Sequence, residues 1–523
     1  MSILSTTNKD RQTFHFWVYF ILLCLLAASM PTSIYMVSVV QIGLGVNWLL
    51  EGRYKDKFNK FFNNKPAIVF TLIYVMHLVG LLWTEDLMYA LGSDLKHKLP
   101  TLTLTLIIVS SHEIDIKKIR IILYLFVASV IAVSFISFAN YLINDITNHR
   151  KILMFSYHLY FNLMLVLSMF LLPYLVRKST KNKAWFVVSL LLSLWMLYFL
   201  ILTRALSSLA ALSAVIVFIL VYIFFKKHSI YIKIVSASLL IVGIVFSVMI
   251  VRYVNQFEST KTEVSVEALE THTKEGNPYK HFLPIEEWEN GNPVYIYIAE
   301  DELQDEWNNR SDIDYYSTDK KGYDIRFTLF RYLTSKGLRK DREGLQELTD
   351  EDIKAVEQGI TNHLYTEWPG ILERIHQTIK GIHIYNETNN PNWSTLTQRI
   401  DLWKASYEAF KKKPIFGWGT GDLFIAVEYG LEKNDSVLQG EKMKPHSQYL
   451  LFLLTLGSVG LILFFVFYIY PVVKTKAYKI FPFKVFMIAY AINMIGNNPI
   501  DAQLGQTMFV FFTLVFCFMY PKE

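Results

Sequence analysis

The chain has 523 residues, of which 53% are hydrophobic, 15% aromatic and only 18% charged. Soluble proteins carry about 25% charged residues and cannot bury this much apolar surface in their own cores. The composition therefore excludes a soluble multidomain protein and predicts that most of the chain lies in lipid. The only cysteines, Cys24 and Cys517, lie in apolar runs, which excludes a disulfide framework and a cysteine metal cluster.

Apolar runs long enough to cross about 30 Å of hydrocarbon as helices recur along the chain. They predict an all-α polytopic membrane protein with about twelve transmembrane helices. The fourth run is interrupted, because Lys96 and Lys98 precede Pro100, and Arg204 divides the seventh run from the eighth. The predicted spans lie near residues 13–30, 33–50, 66–83, 95–110, 119–141, 156–176, 184–203, 205–225, 231–252, 446–472, 482–497 and 503–520.

Lysine and arginine are concentrated in alternate loops. If the amino terminus is cytoplasmic, five strongly basic loops face the cytoplasm, whereas the opposite loops 84–94 and 497–503 carry no Lys or Arg. Short cytoplasmic loops are enriched in these residues, so we predict that both termini are cytoplasmic. A signal peptide cleaved near Ala27-Ala28-Ser29 is an alternative for the first run, but it would leave the remaining charge pattern unexplained.

A long acidic segment separates the ninth predicted span from the tenth. Residues 253–445 hold 34 Asp and Glu against 23 Lys and Arg, while the rest of the chain holds 11 against 28. We predict transmembrane helices 1–9 in residues 1–252, a large external α+β or α-rich insertion in residues 253–445, and transmembrane helices 10–12 in residues 446–523. Apolar and aromatic residues recur through the insertion, which favours a folded domain over a linker.

Local patterns predict individual elements of the insertion. Val294-Tyr-Ile-Tyr-Ile298 alternates like a short strand, and Thr349-x-x-Asp352 is typical of a capped helix start, here expected to continue to about Ile360. Pro369 is expected to open another helix, and a third is predicted over Ser394–Lys413. The side chains expected on the apolar face of this third helix are Leu396, Ile400, Trp403, Tyr407 and Phe410.

Signatures of soluble enzymes do not occur in the sequence. It contains no Walker A motif, no His-Glu-x-x-His and no nucleophile elbow. The glycines of Phe416–Asp422 follow no strand of a βαβ unit, which argues against a dinucleotide site. Paired carboxylates of the insertion could act as in a glycosidase, but so acidic a segment offers many accidental pairs. We expect no cofactor and no nucleic-acid partner.

Two arginines lie where basic residues are rare. Arg204 interrupts an apolar run at the predicted outer membrane face, where an arginine is costly and marks either a functional site or the partner of a buried acid. The alternative is an arginine that reaches the lipid headgroups. Arg399 lies one helical turn before Trp403, so the two share a face. The alternative for Arg399 is a solvated charge on a helix surface.

His446 follows Pro445 at the predicted start of the tenth span. In the first turn of a helix, the positive end of the dipole disfavours imidazolium and leaves a ring that accepts a proton near neutral pH. The alternative role is an interfacial helix cap. Gly457 and Gly460, further along the predicted helix, would allow another helix to approach closely and fix its orientation.

Two guanidiniums and a neutral imidazole at one membrane face suit a substrate with a diphosphate leaving group and a hydroxyl acceptor. A guanidinium stays charged and binds phosphate oxygens through two hydrogen bonds, so it can stabilise a departing diphosphate without a divalent metal. No Asp/Glu cluster with magnesium-like spacing lies near these positions in the sequence. The sequence therefore predicts no metal site.

Four motifs that follow one another along the chain resemble the O-antigen ligase family. They are Thr203-Arg204-Ala-Leu-Ser-Ser208, Gln398-Arg399-Ile-Asp-Leu-Trp403, Lys413-Pro-Ile-Phe-Gly417-Trp-Gly419-Thr-Gly421, and His446-Ser-Gln-Tyr449 with Leu456-Gly457-Ser-Val-Gly460. The resemblance extends from the seventh predicted span through the tenth. The span count and the single large loop before the histidine fit it as well.

The resemblance implies a metal-independent glycosyltransferase of the bacterial inner membrane, with its active site facing the periplasm. It implies transfer of a glycan from an undecaprenyl diphosphate donor to the lipid A core, within a lipid membrane, in lipopolysaccharide biosynthesis. Carried over by position, it implies that Arg204 and Arg399 bind the diphosphate and that His446 is catalytic. His158 is a further candidate. The residues expected to support the site are Trp403, Gly417, Gly419, Gly421 and Tyr449.

Two other functions stay open at this point. An O-antigen polymerase would join carrier-linked repeats, and the added segment at 263–392 leaves the acceptor undecided. A lipid-linked glycan flippase would also have about twelve spans, but its path should carry polar groups through the midplane, often in repeated halves. The sequence instead places polar chemistry at one face and contains no internal repeat, so it favours the transferase.

Overall fold

A computed structural model of the chain describes residues 2–144, 151–155, 157–226, 229–259, 261–262, 264–285, 287–368 and 370–521. The described residues form two compact units. The first, called here the membrane unit, contains the described residues from Ser2 to Tyr222 and those from Gln398 onward. The second, the insertion unit, contains the described residues from Ile223 to Thr397.

Helices dominate the described residues, and one small pair of strands accompanies them. In chain order the elements are α1 (Ser2–Thr32), α2 (Ile34–Glu51), α3 (Tyr54–Phe62), α4 (Lys65–Val79), α5 (Leu87–Tyr89), α6 (Leu95–Lys98), α7 (Pro100–Ser110), α8 (Ile116–Ile143), α9 (His158–Ser179), α10 (Lys183–Leu202), α11 (Leu206–Lys226), α12 (Ile230–Ser259), β1 (Trp288–Glu289), β2 (Asn292–Pro293), α13 (Glu300–Arg310), α14 (Ile325–Ser335), α15 (Arg342–Gln346), α16 (Asp350–Glu357), α17 (Leu364–Glu367), α18 (Gly370–Thr388), α19 (Thr395–Lys412), α20 (Leu423–Lys433), α21 (Gln448–Lys474), α22 (Phe481–Gly496) and α23 (Gln503–Leu514).

Nine helices of the described part of the chain are long and apolar enough to cross a membrane, namely α1, α2, α4, α8, α9, α10, α11, α12 and α21. This confirms a polytopic helical membrane protein. The predicted spans near 95–110, 482–497 and 503–520 correspond to shorter helices. Pro100 shortens the first of these, because proline has no backbone N–H to continue the preceding helix and starts α7 instead. The total of twelve spans stays a prediction.

Helix packing within the membrane unit brings together elements that are distant in sequence. α1 packs against α2 and α8, and α9 packs against α10 and α22. α4 contacts both α7 and α21, and α23 contacts α7. The carboxyl-terminal helices α21 to α23 are therefore built into a bundle with helices from the first 180 residues.

The insertion unit has its own hydrophobic core. Three large rings are completely buried in one cluster with the apolar side chains of α16. They belong to Trp307 of α13, Tyr332 of α14, and Tyr315 between these two helices. Burial of such large rings contributes about 2–3 kcal/mol each relative to exposure. This core confirms that the segment is folded rather than a linker.

Two predictions for the insertion unit are confirmed and one is wrong. Thr349 and Asp352 form a reciprocal capping box at the start of α16, which ends at Glu357, three residues before the predicted Ile360. α18 begins at Gly370, directly after Pro369, which lies outside the described residues. The predicted strand at 294–298 is not formed, because Tyr297 has φ = 56°, in the left-handed region that interrupts an extended chain, and Ile298 makes only isolated bridges to Lys280 and Lys340.

The predicted bounds of α19 are confirmed, but its buried face is different. Leu402, Ala405 and Ala409 are fully buried, whereas Tyr407 on the predicted apolar face is 58% exposed. The small alanines allow α20 to approach closely, since a Cβ added to Gly430 would lie 1.9 Å from the Ala405 carbonyl oxygen. Close backbone contact, rather than the larger aromatic side chains, therefore decides which face of α19 is buried.

The orientation of the chain can be tested with single cysteines. Asp319, which the charge pattern predicts to be external, is only 4% exposed and is unsuitable as a probe position. Lys274, in the same insertion, has an 80% exposed side chain, and Lys181 is exposed between α9 and α10. In a Cys24→Ala/Cys517→Ala background, an impermeant maleimide should label Lys274→Cys but not Lys181→Cys in intact spheroplasts, because basic loops are retained inside.

Permeabilised spheroplasts provide the control, since both cysteines should then react. Labelling of Lys181→Cys before permeabilisation would contradict the predicted orientation.

Candidate functional site

The segment that carries the predicted histidine is held between α19 and the loop that follows α22. Trp403 donates a hydrogen bond from Nε1 to the carbonyl oxygen of Pro445 at 2.8 Å. One turn earlier, Nη2 of Arg399 donates to Oδ1 of Asn497 at 3.3 Å, and the backbone N–H of Gln448 donates to the Asn497 carbonyl at 3.1 Å. The shared face of Arg399 and Trp403 therefore packs against the segment 444–448, called here the histidine segment, and the loop that follows α22.

His446 lies just before the helix rather than in its first turn. Ser447 occupies the N-cap position and α21 begins at Gln448, so the predicted position of His446 in the first turn is wrong. Burial instead lowers the pKa of the His446 imidazole, and the positive charges of Arg399 and Lys444 lower it further. The ring is therefore neutral at neutral pH for reasons that the sequence pattern did not identify.

The backbone is strained at two of the predicted site residues. His446 has φ = 48° and Arg204 has φ = 51°, both in the left-handed region that side chains with a Cβ rarely adopt. Each such residue costs about 1–3 kcal/mol, and conformations of this kind concentrate at active sites and ligand-binding loops. Both residues lie in connections between helices, Arg204 between α10 and α11 and His446 just before α21.

Several buried amide groups around Arg399 point to a ligand. Among the described residues, Nε2 of Gln448, Nδ2 of Asn497 and Oδ1 of Asn498 are buried without a hydrogen-bond partner. Buried polar groups without partners are rare in folded proteins and mark an unobserved water, ion or ligand. The Asn497 amide thus has a neutral donor beside the Arg399 guanidinium, and both types of donor suit phosphate oxygens.

A buried ion network lies next to this site, and the sequence analysis missed it. Asp501 has a 2% exposed side chain and pairs with Lys98 of α6 at 3.2 Å and with Lys444, two residues before His446. Lys98, 1% exposed, also pairs with Asp94. Although burial alone would raise it, the pKa of Asp501 is lowered by the two lysines. The sequence did contain a signal for this pair, because Lys98 follows Asp94 by four residues at the start of the fourth predicted span, a spacing that brings two side chains together on a helix.

A cavity of about 420 Å³ borders this network. Lys444 and Asp501 line it, together with His158, Tyr160 and Gln503. His158, the further candidate of the sequence analysis, therefore lines the cavity at the amino-terminal end of α9. The cavity gives a small polar group access to the ion network that holds the histidine segment.

The glycine-rich loop after α19 crosses α21 at a break in that helix. Gly457 has φ = 70° inside α21, and there the N–H of Ser458 donates to the carbonyl of Pro414 at 2.9 Å. A Cβ on Gly417 would lie 2.6 Å from the nitrogen of Gly457. The close partner of Gly457 is thus this loop, while α4 is the helix that packs against α21.

The second half of the loop is fastened to the turn that follows α4. Gly419 has φ = 128°, and a Cβ on Gly421 would lie 2.0 Å from the carbonyl oxygen of Asp86. The carboxylate of Asp422 accepts hydrogen bonds from the N–H groups of Glu85 at 3.0 Å and Asp86 at 2.8 Å. These glycines permit close backbone packing, which supports the site indirectly.

The structure brings some of the predicted site residues together. Arg399, Trp403 and His446 meet around the start of α21, where Tyr449 is held by a hydrogen bond from its hydroxyl to the carbonyl of Ala491 at 2.9 Å. Arg204 lies in the turn between α10 and α11, and its action together with Arg399 stays a prediction. In the described ranges no three His, Cys, Asp or Glu side chains are grouped to hold a metal ion.

These features define a multi-pass membrane protein with a cationic, partly buried site beside a neutral imidazole. Residues 363–465 match a family model described as O-antigen ligase, which confirms the resemblance over this part of the chain. The match covers about a fifth of the chain and includes Arg399, Trp403, the glycine loop, His446 and Tyr449, whereas Arg204 lies outside it. A comparison with curated proteins finds no match.

The break at Gly457 can be tested by adding a single methyl group. Gly457→Ala would place a Cβ 2.2 Å from the carbonyl oxygen of Ile415 in a left-handed conformation, so we expect a loss of at least about 2 kcal/mol of stability. The measurement is thermal unfolding of purified protein, with Gly45→Ala as the matched control. Gly45 lies inside α2 with open space around it, so alanine there should be neutral or slightly stabilising. Equal melting of both variants would contradict the proposed packing.

Proposed function

We propose that the protein is an O-antigen ligase of the bacterial inner membrane. It transfers a preassembled glycan from undecaprenyl diphosphate to lipid A core oligosaccharide at the periplasmic face. The observation that carries the proposal is the convergence of Arg399 and the histidine segment, both within the region that matches the family model, through hydrogen bonds to Asn497 and Pro445. This arrangement supports a diphosphate leaving group next to a proton acceptor.

The reaction follows from the chemistry of these groups. The neutral imidazole of His446 accepts the proton of the acceptor hydroxyl as its oxygen forms a bond to the anomeric carbon of the donor sugar. The bond from that carbon to the diphosphate oxygen breaks, and the diphosphate leaves as an anion. Arg399 and Arg204 bind the leaving anion, with the amide N–H groups of Asn497 and Gln448 as further donors. His446 then holds the proton until solvent removes it.

Charge stabilisation by guanidinium groups makes a divalent metal unnecessary in this scheme. Transfer by the purified protein should therefore continue in excess EDTA. Activity that chelator removes and magnesium or manganese restores would require a different mechanism.

An O-antigen polymerase is the second candidate, since the matched family includes both activities. A polymerase would use the same donor but would transfer it to another carrier-linked repeat. The glycans of a deletion strain distinguish the two functions. A ligase deletion should leave long glycans on the carrier and bare core, whereas a polymerase deletion should leave core with a single repeat. Carrier-linked glycan retained in the inner leaflet would instead indicate a flippase and contradict the proposal.

The role of His446 can be tested through the pH dependence of transfer. Because burial and the neighbouring cations lower the pKa of His446 from its ordinary value of 6.5, the rate should rise with pH, reach half its maximum below pH 6.5, and then level off. His446→Ala should lose about 10²- to 10⁴-fold in rate, as expected for a general base. The measurement is glycan transfer against pH at matched protein levels.

His272→Ala is the matched control, because His272 is an exposed histidine of the insertion unit and its removal should leave the profile unchanged. A rate that falls as pH rises, or near wild-type transfer by His446→Lys, would mean that the residue acts as a cation for the diphosphate instead. Wild-type transfer by His446→Ala would exclude both roles.

A further inference from the structure

A second cavity, of about 610 Å³, lies entirely within the insertion unit. One wall is a single face of α18, formed by Glu373, Arg374, Gln377 and Lys380, which recur at helical spacing. The opposite wall is a face of α14. Its size falls in the range of about 300–1,000 Å³ that is typical of small-ligand sites. The reaction scheme gives these residues no role.

The rim of the cavity carries aromatic side chains. A Cβ on Gly381 would lie 2.6 Å from the Cβ of Ser394, so the segment that contains Trp393 passes directly against α18. Trp393 is 43% exposed, and Phe327 of α14 is 49% exposed. Exposed rings at the mouth of a pocket offer flat apolar faces for stacking.

A buried carboxylate, that of Glu289, holds two of the cationic side chains that line the cavity. Glu289 is completely buried and accepts hydrogen bonds from Nε of Arg331 at 2.9 Å, from Nδ2 of Asn362 at 2.7 Å and from Lys380. Burial alone would raise its pKa, but Arg331 and Lys380 lower the pKa of Glu289 to about 2. The carboxylate therefore stays ionised, and it orients two cationic side chains that also line the cavity.

The lining combines hydrogen-bond donors with acceptors. Its donors include Arg374, Gln377 and Lys321, its acceptors include Asp324 and Glu373, and Ile384 is its one aliphatic side chain. The large apolar side chains of the lining are almost all aromatic, which suits flat rings better than a lipid chain. Buried Glu289 already pairs with Arg331 and Lys380, and Asp324 and Glu373 line the cavity together with the other cations. A free phosphate therefore gains little there, whereas a hydroxyl group both donates and accepts. Sugar rings carry several hydroxyls and a flat C–H face, so their chemistry matches both the lining and the rim.

We propose that this cavity binds a short segment of carbohydrate, the glycan part of a substrate, and this inference rests on the proposed function. Trp393 stacks on a sugar ring, and the polar faces of α14 and α18 bind its hydroxyls. The cavity thus adds a glycan-recognition site, formed by the insertion unit, to the transfer chemistry of the membrane unit.

The test measures carbohydrate binding directly. The probe is the core and O-chain oligosaccharide released by mild acid from the lipopolysaccharide of the organism that carries the gene, titrated calorimetrically into full-length protein in nanodiscs. Trp393→Ala should weaken binding about tenfold, because truncation of a stacking tryptophan commonly costs this much. Phe282→Ala is the matched control, since Phe282 is 60% exposed in the same unit but outside the cavity lining.

Thermal unfolding of each variant shows whether it is folded, and Gln377→Ala serves the same comparison if Trp393→Ala is not recovered. Equal affinity of these variants and wild type, no binding by wild type, or displacement of the oligosaccharide by millimolar inorganic phosphate would overturn the proposal. Binding without transfer by wild-type protein would reject the ligase function and keep the site, whereas transfer without binding would reject the site alone.

Discussion

One buried carboxylate, that of Asp501, holds the histidine segment to the rest of the membrane unit. Asp501 pairs with Lys98, from the first hundred residues, and with Lys444, beside the catalytic candidate. Removal of one partner from a buried ion pair typically costs about 3–5 kcal/mol, because the remaining charge stays buried without compensation. Here loss of the carboxylate would leave buried Lys98 with Asp94 alone and would remove the partner of Lys444, so the position of the segment before α21 depends on this residue.

Further contacts depend on that position. The amide of Gln448 accepts a hydrogen bond from the N–H of Ile500 at 3.0 Å, which joins the start of α21 to the loop of Asp501 a second time. Asn497 in the same loop binds Arg399, so the guanidinium and the histidine segment are held by one short stretch between α22 and α23. A ligand site built from three distant segments thus acquires a common support. Such support from neighbouring residues is what keeps catalytic groups in register.

The sequence was sufficient for features that are set by local chemistry. Hydropathy and charge predicted a polytopic helical membrane protein, and the capping box at Thr349 predicted the start of α16 because its hydrogen bonds lie within four residues. The family motifs around Arg399 and His446 were identified correctly. Features that depend on distant partners were not accessible. The pairing of Asp501 with Lys98 spans about 400 residues, and the buried face of α19 follows from contact with Gly430 rather than from its own periodicity.

The left-handed backbone at His446 has a consequence for how this protein can be engineered. Glycine or asparagine would adopt that conformation at lower cost, so a chain optimised for stability alone would lose the imidazole at this position. On the role proposed for His446, directed evolution for heat resistance or expression should enrich inactive variants unless each round also selects for glycan transfer. The strained turn makes thermostability and activity competing objectives at one residue.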